Sequence, residues 1–190
     1  MTPSDPRGEP PHPAGRAVGG PAPREPATPI AIPDDVLAAI YSHALAEFPD
    51  ECCGYLVGGQ PGAVEGHVAC RNAQLDGDHP VAPERGADSG FVIAGAELLR
   101  FARSFDTARP ARVVYHSHTN GRAYFSAVDH AMADGPSYPV QHLVIGVALR
   151  SHGPASAPVP WITEAAQFAW SDDARDHVEI ARWLPGGARP

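Results

Sequence analysis

From Ile32 onward the apolar positions fall into segments of distinct period. Pro33-Asp34-Asp35 places a proline and two acids at a helix start, where the free N–H groups and the dipole favour them. Val36, Leu37, Ile40, Ala44, Leu45 and Phe48 then form one stripe at helical spacing, which predicts a helix ending near Pro49. A short strand is expected over 53–57, a Gly/Pro turn at Gly58-Gly59-Gln60-Pro61-Gly62, and a returning strand over 64–70. Residues 74–90 carry Asp, Gly and Pro and read as loop. Phe91-Val92-Ile93 reads as another short strand. Residues 94–105 form a second amphipathic helix, with Leu98, Leu99, Phe101, Ala102 and Phe105 apolar. A strand begins at Arg112, and a short helix covers 126–133. The apolar run 143–149 is expected to be a central strand buried on both faces. Residues 165–170 and 177–183 fit either a hairpin or a terminal helix. This order predicts an α+β or α/β domain, with a mixed central sheet flanked by helices.

Composition sets the boundaries. Residues 1–29 hold nine prolines and four glycines without apolar periodicity. Such a segment cannot bury enough surface to offset its chain entropy, so a disordered tail is expected. Its charges cancel, so the whole net charge of −8 falls on the rest of the chain. The organisation expected is a tail over 1–29, one domain over 30–184 and a short Gly/Pro tail over 185–190. No apolar signal segment follows Met1, and no apolar run approaches the length of a membrane span. Three cysteines do not make a disulfide framework and fit a reducing cytoplasm.

Charge narrows the chemistry. All 14 basic residues are arginine. Schiff-base catalysis and a phosphate-loop lysine are thereby excluded. An acidic, lysine-free chain is poorly suited to hold a nucleic-acid backbone by counterion release. GC-rich coding bias, which favours Arg, Ala, Pro and Gly together, accounts for the missing lysine.

The informative segment is Tyr115-His116-Ser117-His118, followed by Ser126 and Asp129. An H-x-H pair on a strand presents both imidazoles on one face. Ser126 stands where a helix N-cap would, and Asp129 falls in the first turn beyond it. Strand, tight loop and helix start can therefore return a carboxylate to the two histidines. Two His and one carboxylate with an open fourth position is the pattern of a catalytic zinc rather than a structural one. Among ten histidines an H-x-H is weak by itself, and Ser126-Ala127-Val128-Asp129 is also an ordinary capping box. Requiring Ser and Asp at these offsets lowers the chance expectation to roughly one in five hundred.

These residues resemble the JAMM (MPN-plus, JAB-domain) metalloprotease family, whose core motif is H-[ST]-H, seven residues, then S-x-x-D, with a distant upstream Glu. Here the match is His116-Ser117-His118, the seven residues 119–125, then Ser126 and Asp129. Glu51 matches the upstream Glu, in Pro49-Asp50-Glu51-Cys52-Cys53-Gly54-Tyr55-Leu56-Val57-Gly58. The resemblance runs from about Ile32 to about Leu149. Thr119 departs from the proline that the family often carries after the second His. Together with Ala123-Tyr124, this variant looks like bacterial members acting on ubiquitin-like sulfur-carrier proteins.

The resemblance implies a cytidine-deaminase-like α+β fold and one Zn²⁺ per chain held by His116, His118 and Asp129. It also implies Glu51 as general base and then acid, and Ser126 as a donor to the tetrahedral oxyanion. The implied substrate is a peptide or isopeptide bond at the C-terminus of a ubiquitin-like or sulfur-carrier protein. Deubiquitinase-like isopeptidase action, small-molecule amide hydrolysis and a non-catalytic scaffold stand as alternatives. Oligomeric state is left open, and neither nucleic acid nor membrane is expected as a partner.

Other residues carry less. Cys52 and Cys53 read as packing thiols. His130 reads as a helix residue pointing away. Trp161, Trp170 and Trp183 are expected to close the C-terminal edge of the core. Arg122 and Tyr124, inside the seven-residue loop, are candidate substrate contacts. His43, His67, His79, His142, His152 and His177 lack partner spacing and receive no role.

Overall fold

The structure is a computed structural model describing residues 27–76, 80–134, 138–151, 153 and 157–187. Helix α1 (Asp34–Glu47) starts where Pro33 and the two acids place it, and the Pro33 carbonyl accepts the Leu37 N–H at 2.9 Å. Its stripe buries Val36, Leu37, Ile40 and Ala44. Strands β1 (Cys53–Val57) and β2 (Gly66–Cys70) follow as an antiparallel hairpin, and a 3₁₀ turn spans Ala73–Asp76. Then come α2 (Gly95–Ser104), β3 (Ala111–His118), α3 (Ala127–Asp134), β4 (Gln141–Arg150), β5 (Val159–Ser171) and β6 (Asp176–Trp183).

The six strands form one sheet in the order β2-β1-β3-β4-β5-β6. Every neighbouring pair is antiparallel except β3 and β4, which are joined through α3. A parallel pair needs such a crossover, so the short helix predicted after the H-x-H strand also makes the sheet mixed. The α+β architecture expected from the sequence is present.

Alternation decides which side chains meet which helix. Cys52, Leu56, Val113, Tyr115, Leu143 and Ile145 pack with α1 on one face, while Cys53, Tyr55 and Val114 pack with Phe101 of α2 on the other. Ile40, Leu56, Leu143 and Ile145 have no exposed surface. Full burial of each is worth about 1.5–3 kcal/mol. All three cysteines are buried and free, in agreement with a packing role.

Several local expectations are refined. Residues 91–93 are extended but belong to no ladder. The Val92 N–H donates to the Asn72 side chain at 3.1 Å and its carbonyl accepts from Ala73 at 2.9 Å, so a buried polar side chain takes the place of a partner strand. Strand β4 is buried through Val147, but Leu149 at its end is 57% exposed. The C-terminal alternatives resolve as the β5–β6 hairpin. Trp183 alone of the tryptophans is buried, its Nε1–H donating to Tyr41 Oη at 2.9 Å. Trp161 instead lies beneath the Arg150 guanidinium, 4.9 Å from its ring centroid, and Trp170 donates to Asp172.

Residues 1–26 and 188–190 of the expected tails lie outside the described residues. Thr28 and Ile30 are tied to the sheet by two buried glutamines. Gln141 Nε2 donates to the Thr28 carbonyl at 2.8 Å, and Gln141 Oε1 accepts from Ile30 N at 3.2 Å and from Gln167 Nε2 at 2.6 Å. No helix among the described residues is long and apolar enough to cross a membrane.

Candidate active site

The H-x-H pair lies at the C-terminal end of β3, where Cys53 of β1 faces His116 and Gly146 of β4 faces His118. Both imidazoles point to the α2 side of the sheet, and α3 returns Asp129 beside them. His116 Nε2 and His118 Nε2 lie 3.1 Å apart. Asp129 Oδ1 is 3.4 Å from the first and Asp129 Oδ2 is 3.5 Å from the second. A tetrahedral ion with bonds of about 2.0–2.1 Å requires ligand atoms about 3.3–3.4 Å apart. The two ring nitrogens and the two carboxylate oxygens lie close to that spacing, and all three residues are buried.

Electrostatics agree with room for a cation. Burial opposes charge on Asp129, but the facing His116 and His118 imidazoles hold its carboxyl well below the usual carboxylate range. Burial also lowers His116, with Asp129 pulling the other way. His118 Nδ1 faces the Arg122 carbonyl at 3.1 Å. A carbonyl only accepts, so Nδ1 carries the proton and Nε2 turns a bare lone pair inward. The niche thus holds a buried anion and two inward ring nitrogens, a donor set suited to zinc.

Ser126 and Asp129 form the reciprocal cap expected from their spacing. Ser126 N donates to Asp129 Oδ2 at 2.6 Å, and Asp129 N donates to Ser126 Oγ at 3.2 Å. The cap therefore aims Asp129 while leaving the Ser126 hydroxyl proton available to another acceptor.

Glu51 is 5% exposed and lines the same cleft as His118, Ser126 and Asp129. Burial first, and then the Asp129 charge, push its carboxyl up to about 9 against the pull of Arg85. Three features missed in the sequence hold it there. Cys52 N donates to Ser117 Oγ at 2.8 Å while Ser117 N donates to the Cys52 carbonyl at 3.1 Å, clamping the start of β1 to the end of β3. Asn72 Nδ2 donates to the carbonyls of Glu51 and Gly90. Phe91 stacks on His116 with ring centroids 4.4 Å apart. Only the central Ser of H-S-H carried any signal in the motif itself.

The seven-residue loop forms the outer wall. Tyr124 is 41% exposed and meets His118 edge-on with centroids 4.6 Å apart. Its hydroxyl accepts from Asn120 Nδ2 at 3.2 Å. Arg122 is exposed and contributes its carbonyl to His118. Ala123 is fixed on both sides, its N–H donating to Glu164 Oε1 at 2.8 Å and its carbonyl accepting from Arg182. Glu164 and Arg182 themselves pair at 2.8 Å. The cleft mouth, about 320 Å³, is polar and bordered by Glu51, Arg85, Asp88, Thr119, Asn120 and Tyr124. Of the histidines without an expected role, His43 pairs with Tyr115 Oη at 3.0 Å. His79 and His152 lie outside the described residues. His130 meets Asp176, and His142 and His177 pack together around Phe125.

The family model for prokaryotic homologues of the JAB domain matches residues 33–170, and the chain belongs to that family. A "CysO-cysteine peptidase" of Mycobacterium tuberculosis is 31% identical over 109 residues, which cover 56% of this chain and 67% of that protein. A protein of Desulfitobacterium hafniense solved in solution aligns over 77% of this chain and 86% of its own, with 22% identity and a TM-score of 0.49. A JAB1/MPN domain protein from Archaeoglobus fulgidus aligns over 76% of this chain and 90% of its own, with 14% identity and a TM-score of 0.39.

Proposed function

We propose that this JAB-family hydrolase is a zinc-dependent peptidase that cleaves a peptide or isopeptide bond at the C-terminus of a ubiquitin-like or sulfur-carrier protein. The observation that carries the reading is the spacing of His116, His118 and Asp129, at 3.1–3.5 Å, beside the buried Glu51 and the capped Ser126. His116, His118 and Asp129 would hold one zinc, which supplies Lewis acidity to a carbonyl oxygen and acidity to a water.

The chain's own residues supply the rest. Glu51 accepts a proton from the attacking water and returns it to the leaving nitrogen as the tetrahedral centre collapses. With a dication held by His116, His118 and Asp129, the Asp129 repulsion on Glu51 would be offset, and Glu51 would fall from about 9 toward the range of an effective base. Ser126 donates its free hydroxyl proton to the developing oxyanion. The loop carrying Arg122 and Tyr124 contacts the substrate at the polar mouth. Residues 30–184 act as the catalytic domain between the tails 1–29 and 185–190, and the enzyme works in the cytoplasm.

The name of the mycobacterial relative, a peptidase, supports a carrier bearing an added amino acid as substrate. The test is incubation of the zinc-loaded chain with a small carrier protein bearing a C-terminal extension, followed by mass spectrometry. Release of the extension at the carrier's C-terminus is the expected result. An unaltered carrier alongside cleavage of isopeptide-linked ubiquitin or of small amides would overturn the substrate assignment. No hydrolysis of any of them would overturn the activity.

A further inference from the structure

We propose that His130, Asp176 and His177 form a second divalent transition-metal site at the seam between α3 and β6. His130 lies in α3, and Asp176 and His177 are consecutive residues at the start of β6. The tertiary fold brings one ligand atom of each within 4.8 Å of the others. His130 Nδ1 already lies 2.9 Å from Asp176 Oδ1. The buried His177 imidazole offers a ring nitrogen within the same small sphere.

The surroundings are built like those of a metal centre. Phe125 packs against both rings, with centroids 4.8 Å from His130 and 5.1 Å from His177. His142 and Trp170 cover the remaining sides of His177 at 5.1 and 5.5 Å. Two imidazoles are thus set by packing, while the Asp176 side chain is 56% exposed at the hairpin mouth, its Oδ1 also accepting from His177 N at 2.8 Å. Closing separations that are all within 4.8 Å to the roughly 3.3–3.4 Å of a tetrahedral ion takes side-chain movement of at most about 1.5 Å. Two nitrogens and one carboxylate oxygen select zinc-like ions over magnesium or calcium. Asp172 and Asp173 on the same turn add negative potential at the solvent side.

The site shares no ligand with the first, but His130 directly follows Asp129 in α3. An ion here would clamp α3 to the hairpin. This inference does not depend on the hydrolase reading.

Equilibrium dialysis of the full chain against Zn²⁺, with metal counted by mass spectrometry, provides the test. The wild type is expected to take up two zinc ions per chain, and His118→Ala to retain one. Asp176→Asn and His130→Gln, both at partly exposed positions, should each weaken one zinc by at least about tenfold and leave the other unchanged. The rise in Tm with the second zinc should disappear in both variants. Saturation of the wild type at one zinc, no zinc on His118→Ala, or a second zinc held at full affinity by both variants would each overturn the proposal.

Discussion

In the proposed mechanism Glu51 carries the proton transfer, and its burial makes a charged carboxylate costly unless a cation stands nearby. Glu51→Gln keeps the shape and the hydrogen-bonded backbone. It is expected to retain zinc while lowering kcat by about 10²–10⁴-fold. Parallel metal analysis and steady-state kinetics check this, and an active Glu51→Gln enzyme removes Glu51 as the base. The same reasoning predicts inert thiols. Burial pushes Cys52 and Cys70 up to about 12, and Cys53 higher still. At pH 8 the native protein should leave these thiols unmodified by a chromogenic disulfide, and urea should expose all three.

His142 supplies a pH-dependent contribution to stability. Burial, reinforced by the His177 and His116 imidazoles, pushes it from 6.5 down to about 3. In that window the unfolded chain binds a proton that the native protein refuses. Stability therefore falls as pH drops from about 6.5 toward 3, by up to about 1.4 kcal/mol per pH unit from this group. Urea unfolding at pH 7 and pH 5 should show a shallower loss for His142→Gln than for the wild type; equal losses would contradict the assignment.

At the scale of elements, the cleft depends on the fixation of a loop with no regular structure of its own. The loop over 119–125 lies close upon β4 because Gly146 has no side chain: a Cβ there would stand 2.6 Å from Thr163 Oγ1 and 2.8 Å from the Gly121 carbonyl oxygen. Gly121 takes the turn itself with φ +77°. Gly146→Val should push the loop off the sheet, lowering kcat/KM more than it lowers Tm. Glu164→Gln at the loop's anchor should raise KM by a few fold, since the Ala123 N–H keeps an acceptor while Arg182 loses one of its two carboxylate partners and keeps Glu179. Substrate titration of both variants checks these expectations. The anchors were invisible in the linear chain. Glu164 and Arg182 carry no motif, and their meaning arises only once β5 and β6 bring them to the loop. Asn72 likewise sits in an unpatterned stretch, and the expected strand over 91–93 failed because its backbone bonds go to that buried side chain.

At the scale of the molecule, two layers of helices hold a mixed sheet whose parallel step occurs where the candidate ligands converge. Metal removal should be felt globally, because the niche then keeps a buried carboxylate without a cation. Chelation is expected to lower Tm by more in the wild type than in His118→Ala, which has only the second ion to lose, as read by scanning calorimetry. Equal shifts would show that the chelator acts elsewhere.

The chain alone determined whatever periodicity and spacing encode. That covers the α1 stripe, the hairpin, the H-x-H strand with its capped helix and the mixed sheet that follows, and the candidate site residues His116, His118, Ser126 and Asp129, whereas Glu51 was marked only by the family resemblance. Those four lie within fourteen residues, so local geometry suffices to bring them together. Only the tertiary structure decided what depends on distant contact. It turned the C-terminal segments into a hairpin and set Ser117 and Asn72 as the clamps on Glu51. It also gathered His130, Asp176 and His177, to which no spacing had assigned a role. Long-range pairings leave no period in a sequence, because their partners are chosen by the packing of the whole sheet.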